Sequence, residues 1–265
     1  MYTQFDVESH NEGKIQIAFL NQPKTLNALN KASIKELTAF VNQNSTDENV
    51  RCIVISGRGK AFCSGQNLEE ALSGPSAEEK DVIKNIVEHY YNPLVMAISN
   101  CRKPVISLIN GPAVGAGAML ALICDFSLAK ESAYISQAFV NIGLIPDTGG
   151  TYYLPRLLGR QLANYLTFTG KKLSATDAKS HGLIAEVFPD EEFEVKSMEI
   201  VQNISELPTA AISITKKAFL HSYDNSLEDQ LKLEAKLQQT AANSEDFKEG
   251  VTAFLQKRKP VYKGK

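Results

Sequence analysis

The sequence predicts an α/β fold on three observations. Apolar, strand-like runs alternate with helical stretches over the first three quarters of the chain, two of those runs are β-branched and nearly unbroken, and helical periodicity alone continues beyond them. An unbroken apolar run suits a strand whose sheet is covered on both faces. The 265 residues can bury one sizeable core. The pattern divides them into an α/β core over 1–195 and a C-terminal helical region over 196–265.

In chain order, Lys14 to Leu20 alternates apolar and polar residues, with Ile15, Ile17 and Phe19 on one face, the period-2 signature of a half-buried strand. Residues 31–44 read as an amphipathic helix. The runs CIVIS (52–56) and VISLI (105–109) read as covered strands. Pro104 precedes the second, and Asn110, Gly111 and Pro112 end it. Ala116 to Ile123 then reads as a buried helix opened by a glycine-rich turn. The polar segment 70–80, with Gly74 and Pro75, reads as a mobile loop. Segments 194–204, 208–222 and 227–242 read as helices, and Ser226 with Asp229 resembles a capping box at the start of the third.

Composition narrows the function. With 28 basic and 30 acidic residues the net charge is −2, so no global field recruits nucleic acid or an anionic membrane. The N-terminal MYTQFDVESHNEG has neither the basic start and apolar run of a secretory signal nor an Arg-rich amphipathic pattern. No stretch approaches the length needed to span a bilayer. Cys52, Cys63, Cys101 and Cys124 lack C-x-x-C spacing, which argues against a metal site or disulfide framework. A reduced cytoplasmic protein with no metal or redox cofactor is the expectation.

Single motifs are ambiguous. The glycine-rich segment from Gly111 to Leu120 lacks the glycine at 120 that a dinucleotide fingerprint requires, and Gly57 to Phe62 lacks Walker spacing. These glycines suit either tight helix packing or an anion site of exposed main-chain amides at a helix start. Asp147-Thr148-Gly149 is the triplet of aspartic proteases, but it occurs once, and an Asp after Pro146 equally suits a turn or a cap. His10, His89, His181 and His221 form no H-x-x-x-H pair, and Ser64 has no G-x-S-x-G frame.

In order and spacing, AFCSGQNL (61–68), NGPAVGAGAMLALICD (110–125) and GLIPDTGGT (143–151) together resemble the crotonase (enoyl-CoA hydratase/isomerase) family. The likeness runs from NQPKTLNA (21–28) through LTFTGKKLSATDAKSHGLIAEVFP (166–189) to EDFKEGVTAFLQKRKP (245–260). It implies a repeated ββα spiral core with a C-terminal helical trimerisation region, and a homotrimer or dimer of trimers acting on acyl-CoA thioesters. It also implies an oxyanion hole of two main-chain N–H groups, here those of Gln66 and Ala116, which would stabilise a thioester enolate. Coenzyme A, part of the substrate, would lie against the loop holding Lys24, Leu26 and Ala28, with Lys257 contributing from the same or a neighbouring subunit.

The family's hydratases carry two glutamates at positions that here are Met119 and Phe139. Two apolar residues cannot orient and deprotonate water, so the resemblance points away from hydration. Asp147 occupies the I-P-x-x-G-G position where isomerase branches carry an acid, and one carboxylate can serve a 1,3-proton shift. With YNPL (91–94) and QAF (137–139), these segments most resemble the phenylacetate-pathway 1,2-epoxyphenylacetyl-CoA isomerase branch. That branch converts a ring epoxide to its oxepin and also shifts enoyl-CoA double bonds. The expectation is an acyl-CoA isomerase with Asp147 as acid and base, and with Asn67, Tyr90, Tyr91, Met119 and Phe139 shaping the acyl pocket. The alternatives are an enoyl-CoA hydratase of fatty-acid oxidation and a non-catalytic acyl-CoA or RNA-binding member.

Overall fold

A computed structural model describes residues 2–71 and 81–265. Most of the expected loop at 70–80 lies outside the described residues, and its first two positions end a short helix, α2 (Leu68–Ala71). The main sheet has six strands: β1 (Phe5–His10), β2 (Ile15–Leu20), β3 (Cys52–Gly57), β4 (Val105–Ile109), β6 (Phe126–Lys130) and β9 (Glu186–Phe188), paired in that order. Among the described residues of this sheet, only the β1–β2 hairpin is antiparallel. A second sheet pairs β5 (Ala113–Val114), β7 (Tyr134–Ser136) and β8 (Lys172–Ser174).

The expectation of covered strands holds for a simple reason. Along β3, Ile53 and Ile55 enter one hydrophobic cluster while Cys52 and Val54 enter another, because successive side chains leave opposite faces of the sheet. The larger cluster packs under α1 (Lys31–Thr46), whose Ile34, Leu37, Phe40 and Val41 are buried at helical spacing. Asn30 caps α1: its side chain accepts from Ser33 N–H at 2.7 Å, and Ser33 Oγ accepts from Asn30 N–H at 2.9 Å. The smaller cluster is closed by Phe193 and Val201 of α8 (Phe193–Ser205).

The larger cluster also takes in α5 (Ala116–Leu122), buried over all seven residues. Helices α3 (Val82–Ile86) and α4 (Asn92–Ser99) are joined through a single π turn over Val87–Tyr91. A long helix that periodicity alone does not separate, α6 (Gly150–Thr169), contains Pro155 and breaks helical geometry at Gly159, which obscures its pattern. After α7 (Ala175–Ser180) and α8, the chain ends in α9 (Thr209–His221), α10 (Leu227–Ala242) and α11 (Glu245–Leu255), with the Ser226 hydroxyl accepting from Asp229 N–H as expected. The α/β core and helical C-terminal region thus match the sequence expectation, with α11 as an addition. No helix among the described residues is long and apolar enough to cross a membrane.

Candidate active site

A cavity of about 230 Å³ opens where the segment after β3 meets the start of α5. Its described lining residues all fall between Ser64 and Asp147. Two glycines force the segments together. Gly65 has φ +97°, and a methyl group added there would lie 2.9 Å from Val114 O and 3.6 Å from Ala116 N. A methyl on Gly117 would lie 2.3 Å from Cys63 O. Only glycine tolerates such backbone conformation and approach.

This contact leaves two main-chain donors without a partner among the described residues. Leu29 N–H donates to Gly65 O at 2.7 Å and Asn67 N–H donates to Leu29 O at 2.8 Å, so the pairing brackets Gln66 and its own N–H points away. Ala116 is the first residue of α5 and has no acceptor one turn back. Among the described residues neither N–H finds a partner, and both residues line the cavity. The loop before α1 abuts the same segment: Ser64 N–H donates to Leu26 O at 3.0 Å and Ser64 Oγ–H to Thr25 O at 2.9 Å. Lys24 and Leu26 there are exposed and Ala28 is buried. Lys257 stands exposed just beyond α11, outside the lining of the cavity.

Asp147 enters from the turn before α6 and is the one carboxylate among the described lining residues. Burial pushes its pKa above the ordinary value, and the Thr148 hydroxyl, donating to Oδ1 at 2.8 Å, offsets part of that rise. The remaining wall is mostly apolar: Leu68, Ile83, Ile86, Val87, Val114, Phe139, Ile142 and Leu144, with Asn141 and Tyr91 as polar exceptions. Residues 83–87 and 141–144 carry no local sequence signal, because nothing nearby shows which face of a short apolar stretch meets a ligand. Burial raises the neighbouring Cys63 thiol to about 12, so it stays protonated and unreactive near neutral pH.

Three residues expected in the acyl pocket lie elsewhere. Met119 is fully buried and absent from the cavity wall, with its sulfur 3.5 Å from the Gln137 amide nitrogen. It sits two residues into α5 beyond the contact with Cys63, and that helix is enclosed on all sides. Tyr90 lies beside α1, lining a groove with Lys35, Thr38 and Asn42. Asn67 instead caps α2, its Oδ1 accepting from Glu70 N–H at 3.1 Å. Tyr91 and Phe139 do line the cavity.

Residues 10–265 match the family model described as enoyl-CoA hydratase/isomerase. The chain is 39% identical to the 1,2-epoxyphenylacetyl-CoA isomerase of Escherichia coli over 97% of this chain and 98% of that protein. It is 41% identical to a probable enoyl-CoA hydratase of Rhodobacter capsulatus over 95% of each. The crystal structure of an enoyl-CoA hydratase from Bacillus anthracis superposes with a TM-score of 0.92 at 31% identity, covering 99% of this chain and 100% of that one.

Proposed function

The chain belongs to the enoyl-CoA hydratase/isomerase family, and from that premise we propose that it is an acyl-CoA isomerase working through a thioester enolate. The observation that carries this reading is that, among the described residues, one carboxylate, Asp147, shares a cavity with two main-chain donors that have no partner. In this reading the thioester oxygen sits between Gln66 N–H and Ala116 N–H. As a proton leaves the adjacent carbon, charge moves onto that oxygen and both bonds strengthen, which lowers the barrier selectively in the transition state. Asp147 takes the proton and returns it two carbons away, so it ends as it began and no water is consumed. Fully buried Met119 and apolar Phe139 offer nothing that would orient a nucleophilic water.

The cavity is smaller than the ~300–1,000 Å³ typical for a whole drug-sized ligand. An acyl group therefore fits within it while the coenzyme A moiety lies outside, along Lys24, Leu26 and Ala28, with Lys257 reaching in from the same or a neighbouring subunit of a trimer or dimer of trimers. The substrates are 1,2-epoxyphenylacetyl-CoA, as the name of the Escherichia coli relative suggests, and/or 3-enoyl-CoA thioesters undergoing a Δ3-to-Δ2 shift. Names of other relatives favour a second reading, an enoyl-CoA hydratase.

Purified protein assayed with the ring epoxide, 3-enoyl-CoA and crotonyl-CoA separates the two. Isomerisation is expected to dominate and to fall ~10²–10⁴-fold in Asp147→Asn, the usual contribution of a positioned acid–base group. Hydration of crotonyl-CoA at the rate of a dedicated hydratase would establish the second reading instead. Undiminished isomerisation in a folded Asp147→Asn protein would remove Asp147 from the mechanism.

A further inference from the structure

Tyr91 is 1% exposed, yet it lines the cavity. Its hydroxyl donates to Gln66 Oε1 at 2.7 Å, the one side-chain hydrogen bond among the described residues that joins the α3–α4 wall to the glycine-rich wall. We infer that Tyr91 is a positioning residue, holding Gln66 so that its main-chain N–H stays aimed at the thioester oxygen. This inference rests on the proposed role of that N–H.

The mounting of Gln66 has a main-chain part and a side-chain part. The main chain is held on both sides of the residue, by the Leu29 N–H bond to Gly65 O and by the Asn67 N–H bond to Leu29 O. Those bonds fix the strand-like pairing but not the tilt of the Gln66 peptide toward the far wall of the cavity. The Gln66 side chain supplies that further point, tied through Oε1 to Tyr91 and through Nε2, donating to Asn67 O at 3.2 Å, to the adjoining backbone. A donor acts in catalysis only as well as it is aimed, since its worth depends on being preorganised toward the developing charge.

The element carrying Tyr91 explains how a tyrosine reaches that position. Pro93 lacks an N–H and its ring would crowd the carbonyl of His89 in a regular α-helix. The chain widens instead into the π turn over 87–91, in which Asn92 N–H bonds Val87 O five residues back. Successive residues of a helix point about 100° apart, and here Tyr90 lies beside α1 while Tyr91 lines the cavity. Burial also pushes the phenol well above its usual pKa, with the Asp147 carboxylate adding to the rise, so the hydroxyl remains a donor across the working pH range.

Tyr91→Phe removes only the oxygen and keeps the ring packing. In isomerisation assays kcat is expected to fall about tenfold, less than outright loss of an oxyanion donor would cause, with KM nearly unchanged. Gln66→Met, which removes the acceptor at similar volume, should give the same loss, and the double variant no more than either alone. A turnover-free readout uses acetoacetyl-CoA, a β-keto thioester whose bound enolate absorbs in the near ultraviolet. The enolised fraction should drop in Tyr91→Phe and persist in Tyr90→Phe, whose ring lies beside α1 outside the cavity lining. A wild-type enolate band left unaltered by Tyr91→Phe, or additive losses in the double variant, would overturn the inference alone. A wild-type protein that gives no enolate band would overturn the donor reading and this inference together.

Discussion

At the scale of single residues, the chemistry turns on the protonation of Asp147. Its pKa is raised mainly by burial, so the folded protein binds this proton more tightly than the unfolded chain does. Catalysis as a base needs the ionised form, and the acid limb of kcat/KM is therefore expected above the ~3.9 of an unperturbed aspartate. Thr148→Val removes the hydroxyl that donates to Oδ1 and should move that limb to still higher pH, a shift visible in a pH–rate profile. The stability consequence has a definite sign. Ionising a group whose folded pKa is raised costs stability at pH above that pKa, and the cost fades as pH falls from the folded pKa to the unfolded one, below which it is gone. Asp147→Asn should thus leave the denaturation midpoint at neutral pH equal to or above that of the wild type while losing turnover.

Elements matter because they carry the donors into place. The start of α5 meets the segment after β3 so closely that Gly117 has no room for a side chain, with the carbonyl of Cys63 2.3 Å from where a methyl would sit. Gly117→Ala must push the helix away, and with it the Ala116 N–H. The expected cost is about 1–3 kcal/mol of stability, as for overpacking elsewhere, measurable by denaturant titration. Isomerase activity should fall by roughly a hundredfold, since displacement on the order of 1 Å is enough to misalign catalytic groups. At this scale much was legible: the glycine-rich segment, Gly65 and the buried helix announce a tight backbone approach by composition. The direction of Tyr90 and Tyr91 was not legible, because it depends on a π turn that neither residue encodes alone.

Across the whole molecule, the C-terminal helices are fastened to the sheet by a buried cation. Arg51, 4% exposed at the entrance to β3, donates to the Thr209 hydroxyl, to Leu207 O at 2.6 Å and to Tyr262 O at 3.2 Å. The buried Asp246 carboxylate accepts from Lys263 and Gly264 N–H at 2.6 and 2.8 Å, and its charge favours the Arg51 cation against the cost of burial. Arg51→Met should destabilise the protein by about 1–3 kcal/mol, because it leaves the buried Leu207 and Tyr262 carbonyls and the Thr209 hydroxyl without their donor; thermal unfolding checks this. Nothing in the local sequence flags Arg51, since its partners lie more than 150 positions away. The sequence by itself determined what local periodicity and composition can carry: the α/β class, the covered strands at 52–56 and 105–109, the helical C-terminal region, and the glycines that permit close approach. Only the tertiary structure decided that Gln66, Ala116 and Asp147 share one cavity, that Tyr91 reaches it while Tyr90, Asn67 and Met119 do not, and that Asp147 is buried enough for its pKa to rise. Those facts arise from long-range packing and desolvation, which depend on which distant segments meet and not on any stretch read alone.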